Sequence, residues 1–571
     1  MTLRNLRLAV TVVLCGGTIG VATAADLTDT SLTGSNFRYD DGLHFANSEL
    51  RFDSLTGTGY GEVVIHGAYT GANSRIQLRT FMDAGGRTVS HDSSNRVLIN
   101  GDALGGTIAL SIVNDGGAGA STDRNGNAFN DANEGIAVAQ VSGQALSSTF
   151  LLAGTYVAVG PYQYRLYAYA PGQSDNNQRL VDADADGHWD SSLQNAKAPV
   201  AGVPVPEPPG GASPNPPGDA GSGNDSGGDA DWGDGAGDGR AALVPQAGAY
   251  LVHSNALLAM GLQSWQSLTR RLGQSGGTHP YHATGGELFV RLFGGQSRYS
   301  SSLRASQFGY DYDQDWHGLQ TGANWRVLDS QDHTLRLGLA LNRGRSQVNP
   351  LAVYGVNPAI DAAPIEVSRH QTDATAVLAT LTWQHHSGLY TDGVLGGSHY
   401  RSNVTTPFRD GRLARLSSGD VLASIEVGHR WRLTDSLAIE PQLQVSWQEL
   451  QTDATTDADG VEVKIDDTQS LVWRIGARAV LSAPDTAAEH LRATKYFTLN
   501  YVDSSGPASH STLAGTRFET GAFGRLAEAG YGLTVQPHRG LSVYGDITVQ
   551  SDIGEAGRDG WALNMGVKWA F

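Results

Sequence analysis

Residue types that could do chemistry are few in this chain and widely spaced. Asn224-Asp225-Ser226-Gly227-Gly228 offers Ser226 as a nucleophile. Such a serine needs a histidine base, a carboxylate that orients it and a rigid frame around all three. Ser226 sits in an Asp/Gly tract with no apolar frame, so no catalysis is expected there. Asp182, Asp184 and Asp186, followed by Gly187, have the spacing of the first half of a calcium loop. The twelfth position is Leu193, which cannot supply the bidentate carboxylate that such loops use. Asp123, Asn125, Asn127, Asp131 and Glu134 fall at calcium-loop positions in a second stretch, but Ala128 stands where glycine is wanted. Calcium is therefore the one cofactor these stretches admit, and an acidic surface turn is the simpler reading of both. The histidines, among them His66, His188, His385, His386 and His429, form no His-x-x-x-His or cysteine cluster of the kind zinc requires. No catalytic residue is assigned, and the chain is not expected to be an enzyme.

The elements that would have to position these residues point to export. The chain has 571 residues, too many for one ordinary domain, and a net charge of −18. An acidic balance argues against nucleic acid as a partner, because phosphate binding needs a basic surface. Residues 1–24 start basic (Arg4, Arg7), continue apolar from Leu8 and close on Ala22-Thr23-Ala24. That is the order of a secretory signal peptide. Cleavage there removes Cys15, the only cysteine, and with it thiol and disulfide chemistry.

Residues 25–199 alternate short β-type runs, such as Val63–Tyr69 and Thr107–Val113, with Gly, Asn, Ser and Thr. Residues 200–245 are rich in Pro, Gly and Asp, with Trp232 their only large aromatic. Such a stretch buries too little to offset its ordering entropy and reads as a disordered linker. Residues 246–285 hold a proline-free segment, Ala247–Leu272, that predicts one helix roughly 35–40 Å long. It carries His253, Ser254, Asn255, Gln263, Arg270 and Arg271, which is too polar for lipid on all sides. A water-filled channel would suit it; packing on a soluble domain is the other reading.

In residues 286–571 the apolar residues fall at every second position. Leu437, Ile439, Pro441, Leu443, Val445 and Trp447 share one face, while Glu440, Gln442, Gln444 and Ser446 share the other. The same alternation places Glu426 on a polar face, with Arg336, Arg474 and Asp546 on others. At the end of the chain, Trp561, Leu563, Met565, Val567, Trp569 and Phe571 form an apolar row. Two packed sheets would give this pattern, and so would a barrel with lipid outside and water inside. Mid-strand charges on the polar face and aromatics near strand ends favour the barrel. Its last strand is expected to close on Glu287–Gly295, with its free end read by assembly machinery through strand pairing.

Taken together, these segments resemble the autotransporters of type V secretion. Glu287–Gly295 is similar to the family's first barrel strand, Gly309–Trp325 to the segment after it, Leu437–Trp447 to its Glu-Pro-Gln strand, and Gly566–Phe571 to its closing strand. Asn95–Gly119, Gly135–Gly143 and Phe150–Tyr169 resemble the last rungs and autochaperone cap of pertactin-like passengers, a cap rich in Tyr156, Tyr162, Tyr164, Tyr167 and Tyr169. The resemblance implies an all-β chain: a short right-handed parallel β-helix passenger at 25–199 with its cap at 95–195, then the linker, then a barrel of twelve strands at 286–571 around a pore helix. It implies that the linker threads the lumen during export and that residues 247–272 then plug it. Arg270 and Arg271 could pair there with Glu426, Glu440 or Glu528. Some relatives cut their passenger free at an asparagine pair in this helix; here Ser254 precedes Asn255, so a tethered passenger is expected. The expected partners are outer-membrane lipid, the barrel-assembly machinery, periplasmic chaperones and a ligand on a host or neighbouring cell. The expected function is surface display of a non-catalytic, adhesive passenger. A hydrolase passenger, or a pore with an N-terminal appendage, are the alternatives.

Overall fold

The structure, a computed structural model, describes residues 25–571 apart from 54–58, 87–92, 128, 183–186, 199–239, 266, 274–284, 304–306, 353–364, 483–491, 507–508 and 539. The signal peptide, Ser226, Asp184, Asp186 and most of the linker lie outside the described residues.

The N-terminal part winds as a solenoid of three parallel sheets. Successive strands visit each sheet in turn, so residues one turn apart stack in register. In the five-stranded sheet, Leu32 pairs with Leu50, Leu50 with Ile76, Ile76 with Leu110 and Leu110 with Leu152. A neighbouring column runs Tyr39, Ile65, Ile99, Val141. Each rung buries the apolar side chains of the next, as in other solenoids. Close stacking leaves no room for a side chain at some turns. A Cβ on Gly71 would stand 2.0 Å from the carbonyl oxygen of Phe45.

The last rung is closed by a change of direction. Trp189–Asn195 pairs antiparallel with both Ile136–Val141 and Tyr162–Tyr169. Tyr162, Tyr164, Tyr167 and Tyr169 are buried, and Tyr156 is half-buried. Residues 178–182 fold back over the outside of the solenoid. The Leu180 amide donates to Gln140 Oε1 at 2.7 Å, and Asp182 N–H to Asn100 Oδ1 at 2.7 Å. This cover explains why Leu98 and Gln140, which point away from the core, are nevertheless buried.

Lys197–Ala198 pairs antiparallel with Arg240–Ala241, and Leu243 bridges to Tyr162. Both ends of the linker therefore lie on the cap. The helix that follows, Ala247–Trp265, enters the barrel.

The C-terminal part is a closed antiparallel barrel of twelve strands. They are β1 (Gly286–Ser300), β2 (Asp311–Asp329), β3 (His333–Ala352), β4 (Arg369–His385), β5 (Leu389–Thr406) and β6 (Arg409–His429). The series continues with β7 (Leu437–Thr452), β8 (Thr468–Ser482), β9 (Arg492–Ser505), β10 (Leu526–His538), β11 (Leu541–Asp552) and β12 (Gly557–Ala570). Closure joins β1 to β12 from Glu287 opposite Ala570 to Ser300 opposite Gly557, which leaves no open edge. Alternation puts Trp561, Leu563, Met565, Val567, Trp569 and Phe571 on the outer face, each 39–55% exposed. Glu426, Glu440, Arg478 and Asp546 point inward and are buried.

Two helices occupy the lumen: α1 (Ala247–Trp265) and α2 (Leu268–Leu272). The single helix expected over 247–272 is broken. Ser267 is extended (φ −67°, ψ 158°) and its side chain caps α2, while the Leu268 amide donates to Glu426 Oε2 at 3.3 Å. No described helix is long and apolar enough to cross a membrane.

Candidate functional site

The site is the filled lumen together with the cap at its mouth. A helix ends with carbonyls that have no partner of their own. Here the barrel wall supplies the donors. Arg291 Nη2 and Gln320 Nε2 donate to the Ser264 carbonyl in the last turn of α1, at 2.7 and 3.0 Å. Asn564 Nδ2 donates to the Arg270 carbonyl at 2.7 Å and Tyr544 OH to the Arg271 carbonyl at 2.5 Å, at the end of α2. Arg291 adds a positive charge where the helix dipole is negative. At the other end of α1, Tyr250 OH donates to Asp457 Oδ2 at 3.0 Å, and His253 Nδ1 lies 2.8 Å from His370 Nε2 on β4.

The expected plug residues are found in this setting with partly different partners. Arg271 Nη2 lies 2.5 Å from Asp392 Oδ2, and Arg270 Nε lies 3.5 Å from Asp546 Oδ1. Neither is ion-paired with Glu426, Glu440 or Glu528 among the described residues. Asp392 stands directly opposite Glu426 on the neighbouring strand, and Glu426 is taken up by the Leu268 amide and the Tyr390 hydroxyl. Glu440 is held by Arg478 and Arg430 at 3.0 and 2.9 Å, and Glu528 by Arg474 at 3.2 Å. Glu426 accepts the Tyr390 hydroxyl at 2.7 Å. Asn255 is fully engaged: its Nδ2 donates to the carbonyls of Gly521 and Ala522 at 3.2 and 2.9 Å. Its Oδ1 accepts from Tyr312 OH at 3.2 Å and from Arg558. Asp392, Arg291 and Arg558 were not singled out from the sequence. Their signal was an inward charged position on an alternating strand, which tells the face but not the level.

A second device recurs inside the wall. Phe293 faces Gly318, Phe289 faces Gly322, Tyr390 faces Gly428, Tyr496 faces Gly532 and Tyr544 faces Gly566, each pair directly across neighbouring strands. A Cβ on Gly532 would stand 2.1 Å from Tyr496 Cζ, so the ring lies flat over the glycine. Aromatic cover of a strand glycine pins register and allows curvature. Below α2 the lumen opens into a cavity of about 1100 Å³ at the turns opposite the cap.

No group of acidic or histidine side chains that could hold a metal is found among the described residues, which leave out 183–186 of the first calcium stretch. Asp182 lies 3.7 Å from His66 Nδ1. In the second stretch, Asn125 and Asn127 amides donate to Asp131 Oδ2 at 2.7 and 2.8 Å, and Lys197 Nζ lies 2.9 Å from Asp123 Oδ2. The backbone amides of Arg124 and Asn125 donate to Glu134 Oε1 at 2.9 and 3.1 Å. Burial raises the Glu134 carboxyl above its usual range despite these bonds. The cap also encloses Asp190, fully buried, with Ser174 Oγ 3.3 Å from its Oδ2. Burial pushes its carboxyl up to about 7, and bonds from Gln140, Ser174 and the Ser191 amide offset part of that rise. Burial lowers the neighbouring His188.

A closed barrel with a lipid-facing exterior, a helical plug and a capped solenoid at its mouth defines an outer-membrane translocator carrying a surface passenger. The family description "Autotransporter beta-domain" matches residues 288–548, and "Autochaperone Domain Type 1" matches residues 41–166. The chain belongs to the autotransporters, with a β-domain and an autochaperone domain. It is 24% identical over 447 residues to the adhesin BmaC autotransporter of Brucella suis, covering 74% of this chain and 11% of that protein. It is 26% identical over 182 residues to the pertactin autotransporter of Bordetella bronchiseptica, covering 30% and 19%. The chain thus spans only a small part of the length of the curated relatives it matches. Among solved structures, the AIDA-I transport unit of Escherichia coli aligns with 57% of this chain and 99% of its own at 14% identity, with a TM-score of 0.43. The NalP translocator domain of Neisseria meningitidis aligns with 57% and 100% at 15% identity, also with a TM-score of 0.43.

Proposed function

We propose that the barrel supports export of its own N-terminal solenoid and holds it at the cell surface as a non-catalytic adhesive module. The observation that carries this is the junction. Residues 240–244 are paired into the cap, the Ala247 amide bonds back to the Val244 carbonyl at 2.9 Å, and α1 then enters the lumen. A passenger joined to its plug by paired backbone stands fixed at the mouth, where it can meet another surface. Support for adhesion comes from the Brucella suis relative, whose name is that of an adhesin. Export in this reading passes through periplasmic chaperones and the barrel-assembly machinery, with folding of the cap outside opposing return. The boundaries are a signal peptide at 1–24, the passenger at 25–199, the linker at 200–245, the plug and lead-in at 246–285 and the barrel at 286–571.

The test is binding of intact cells to host or neighbouring-cell surfaces with residues 25–199 deleted. Loss of binding with the barrel still assembled supports the proposal; unchanged binding refutes it. Protease shaving separates it from a pore with an appendage. Surface loss of the passenger, with a protected fragment of about residues 246–571, is the result expected here.

A further inference from the structure

At the end away from the cap, the solenoid stops on a rung that no described strand covers. Ala25–Thr28, Ser31–Gly34 and Phe37–Tyr39 are the terminal strands of the three parallel sheets. Their inward side chains stack on the second rung: Leu27 on Phe45, Leu32 on Leu50, Phe37 on Val63 and Tyr39 on Ile65. The second-rung partners are wholly buried, whereas Leu27, Phe37 and Tyr39 are half-buried and Leu32 is 37% exposed. A solenoid needs its terminal rungs covered, and an open strand edge is a template for another strand.

The backbone of this rung has a definite phase. The Ala25 and Asp29 amides bond to the Gly42 and Ala46 carbonyls of the second rung, and the Thr30 and Gly34 carbonyls accept from Glu49 and Asp53. Alternation therefore turns the amides and carbonyls of Asp26, Thr28, Ser31 and Thr33 away from the second rung. Arg96 N–H bonds to the Gly61 carbonyl and Gly67 N–H to the Asn100 carbonyl, so Val64, between them, turns toward the first rung. Arg38 is its register partner and turns away from it. The sequence of the rung is symmetric about Leu32 in the same phase. Leu27 and Phe37 stand five residues to either side, Asp26 and Arg38 six, and Ala25 and Tyr39 seven.

We infer that the rung is covered by the same rung of a second copy of this chain, across a two-fold axis through Leu32. Ser31–Gly34 then pairs antiparallel with itself, and Ala25–Thr28 with Phe37–Tyr39 of the copy. Leu27 meets Phe37 and Leu32 meets Leu32, which closes the core. Asp26 meets Arg38 as a backbone-bonded pair of opposite charge. Asp26 has no ion pair among the described residues, and Arg38 holds only the exposed Asp40 of its own chain, a pair worth little in water. Asp29, Asp40 and Asp41 add like charge at this end. With the small area of one rung, they keep the association weak and reversible. In cells the inference deepens the adhesive reading and rests on it: joined copies carry their barrels at opposite ends, so the surface met is a cell displaying the same chain. The pairing itself is tested without cells.

The test is disulfide capture of the full-length protein in detergent, with Cys15→Ser to leave no other thiol. Directly opposed residues at a non-hydrogen-bonded position have Cα atoms about 4.5 Å apart, within disulfide reach. Under mild oxidation Leu32→Cys should give a band of twice the mass. Its yield should be at least tenfold that of Thr28→Cys, which lies on the same rung but faces Asn36 of the copy. Arg75→Cys, on the flank, should match Thr28→Cys. Adding Asp26→Arg or Arg38→Asp to Leu32→Cys should lower capture at least threefold, and mixing those two proteins should restore it, since each supplies the other's counter-charge. Equal capture through Thr28→Cys, or no restoration on mixing, overturns the two-fold. A Leu32→Cys thiol that stays monomeric and closed to maleimide overturns it as well, and would mean that residues 1–24 cover the rung. If Leu32→Cys does not fold, sedimentation of the wild type decides: a monomer at every concentration refutes the pairing.

Discussion

Replacing Asp190 by asparagine should stabilise the cap, and most at alkaline pH. The carboxyl moves from 3.8 to about 7 because it is buried within the sheet that closes the solenoid. A rise of roughly three units corresponds to about 4 kcal/mol between the charged and neutral forms. The folded cap binds this proton more tightly than the unfolded chain does. Its stability is therefore highest below pH 4, falls by about 1.4 kcal/mol per unit between pH 4 and 7, and is level above pH 7 as far as this group is concerned. About 4 kcal/mol is a large share of the 5–15 kcal/mol typical of a domain. Asp190→Asn removes the ionisation, and its amide can still accept from Ser174. The assay is proteolysis of the passenger on the intact protein across a urea series at pH 5, 7 and 8.5. The wild-type midpoint should drop between pH 5 and 7, and the variant should lack that part of the drop and exceed the wild type at pH 8.5. A variant less stable than the wild type at pH 8.5 would refute the reasoning, because Asp190 would then be a stabilising ion whose attraction to Arg96 outweighs its burial.

Ile76→Ala empties the solenoid core between Leu50 and Leu110, where Ile76 is wholly buried, and should cost about 2–5 kcal/mol. The passenger should become protease-sensitive while the barrel keeps its heat-modifiable mobility. Gly532→Ala drives a methyl into Tyr496 and should cost about 1–3 kcal/mol, read as a lower temperature for the barrel's mobility shift. Arg271→Gln leaves Asp392 buried without its cation, a loss of about 3–5 kcal/mol, and should make the lumen conduct more often in planar bilayers. Unchanged conductance would mean that the wall donors to the helix carbonyls hold the plug unaided. Asn255 has both ends of its amide bonded, so it is not free to attack its own carbonyl. Surface protein should therefore run as one band carrying passenger and barrel epitopes, and a shortened barrel fragment would contradict this.

How much of this was legible in the sequence depends on the range of the interaction. The face of each barrel strand could be read directly, because alternation of period two is local: Trp561 to Phe571 and Leu437 to Trp447 face out as their spacing requires. The partner of an inward charge could not. It depends on which strand of the wall each helix side chain turns toward, which no single strand encodes: Asp392 and Glu426 stand directly opposite each other on β5 and β6, and Arg271 meets Asp392. The break in the helix was equally hidden. Ala247–Leu272 has no proline, and Ser267 becomes a cap only because Glu426 on β6 is placed to receive the Leu268 amide. The Gly–aromatic pairs were visible as residues but not as pairs, since Gly532 and Tyr496 are joined by register alone. The same argument explains Asp190. A lone aspartate in a tyrosine-rich stretch reads as a turn residue until the antiparallel return of Trp189–Asn195 buries it. Groups that matter most to this fold are thus polar ones enclosed by long-range pairing, and mutation of such groups should separate cap stability from barrel assembly more cleanly than mutation of the apolar rows that the sequence displays.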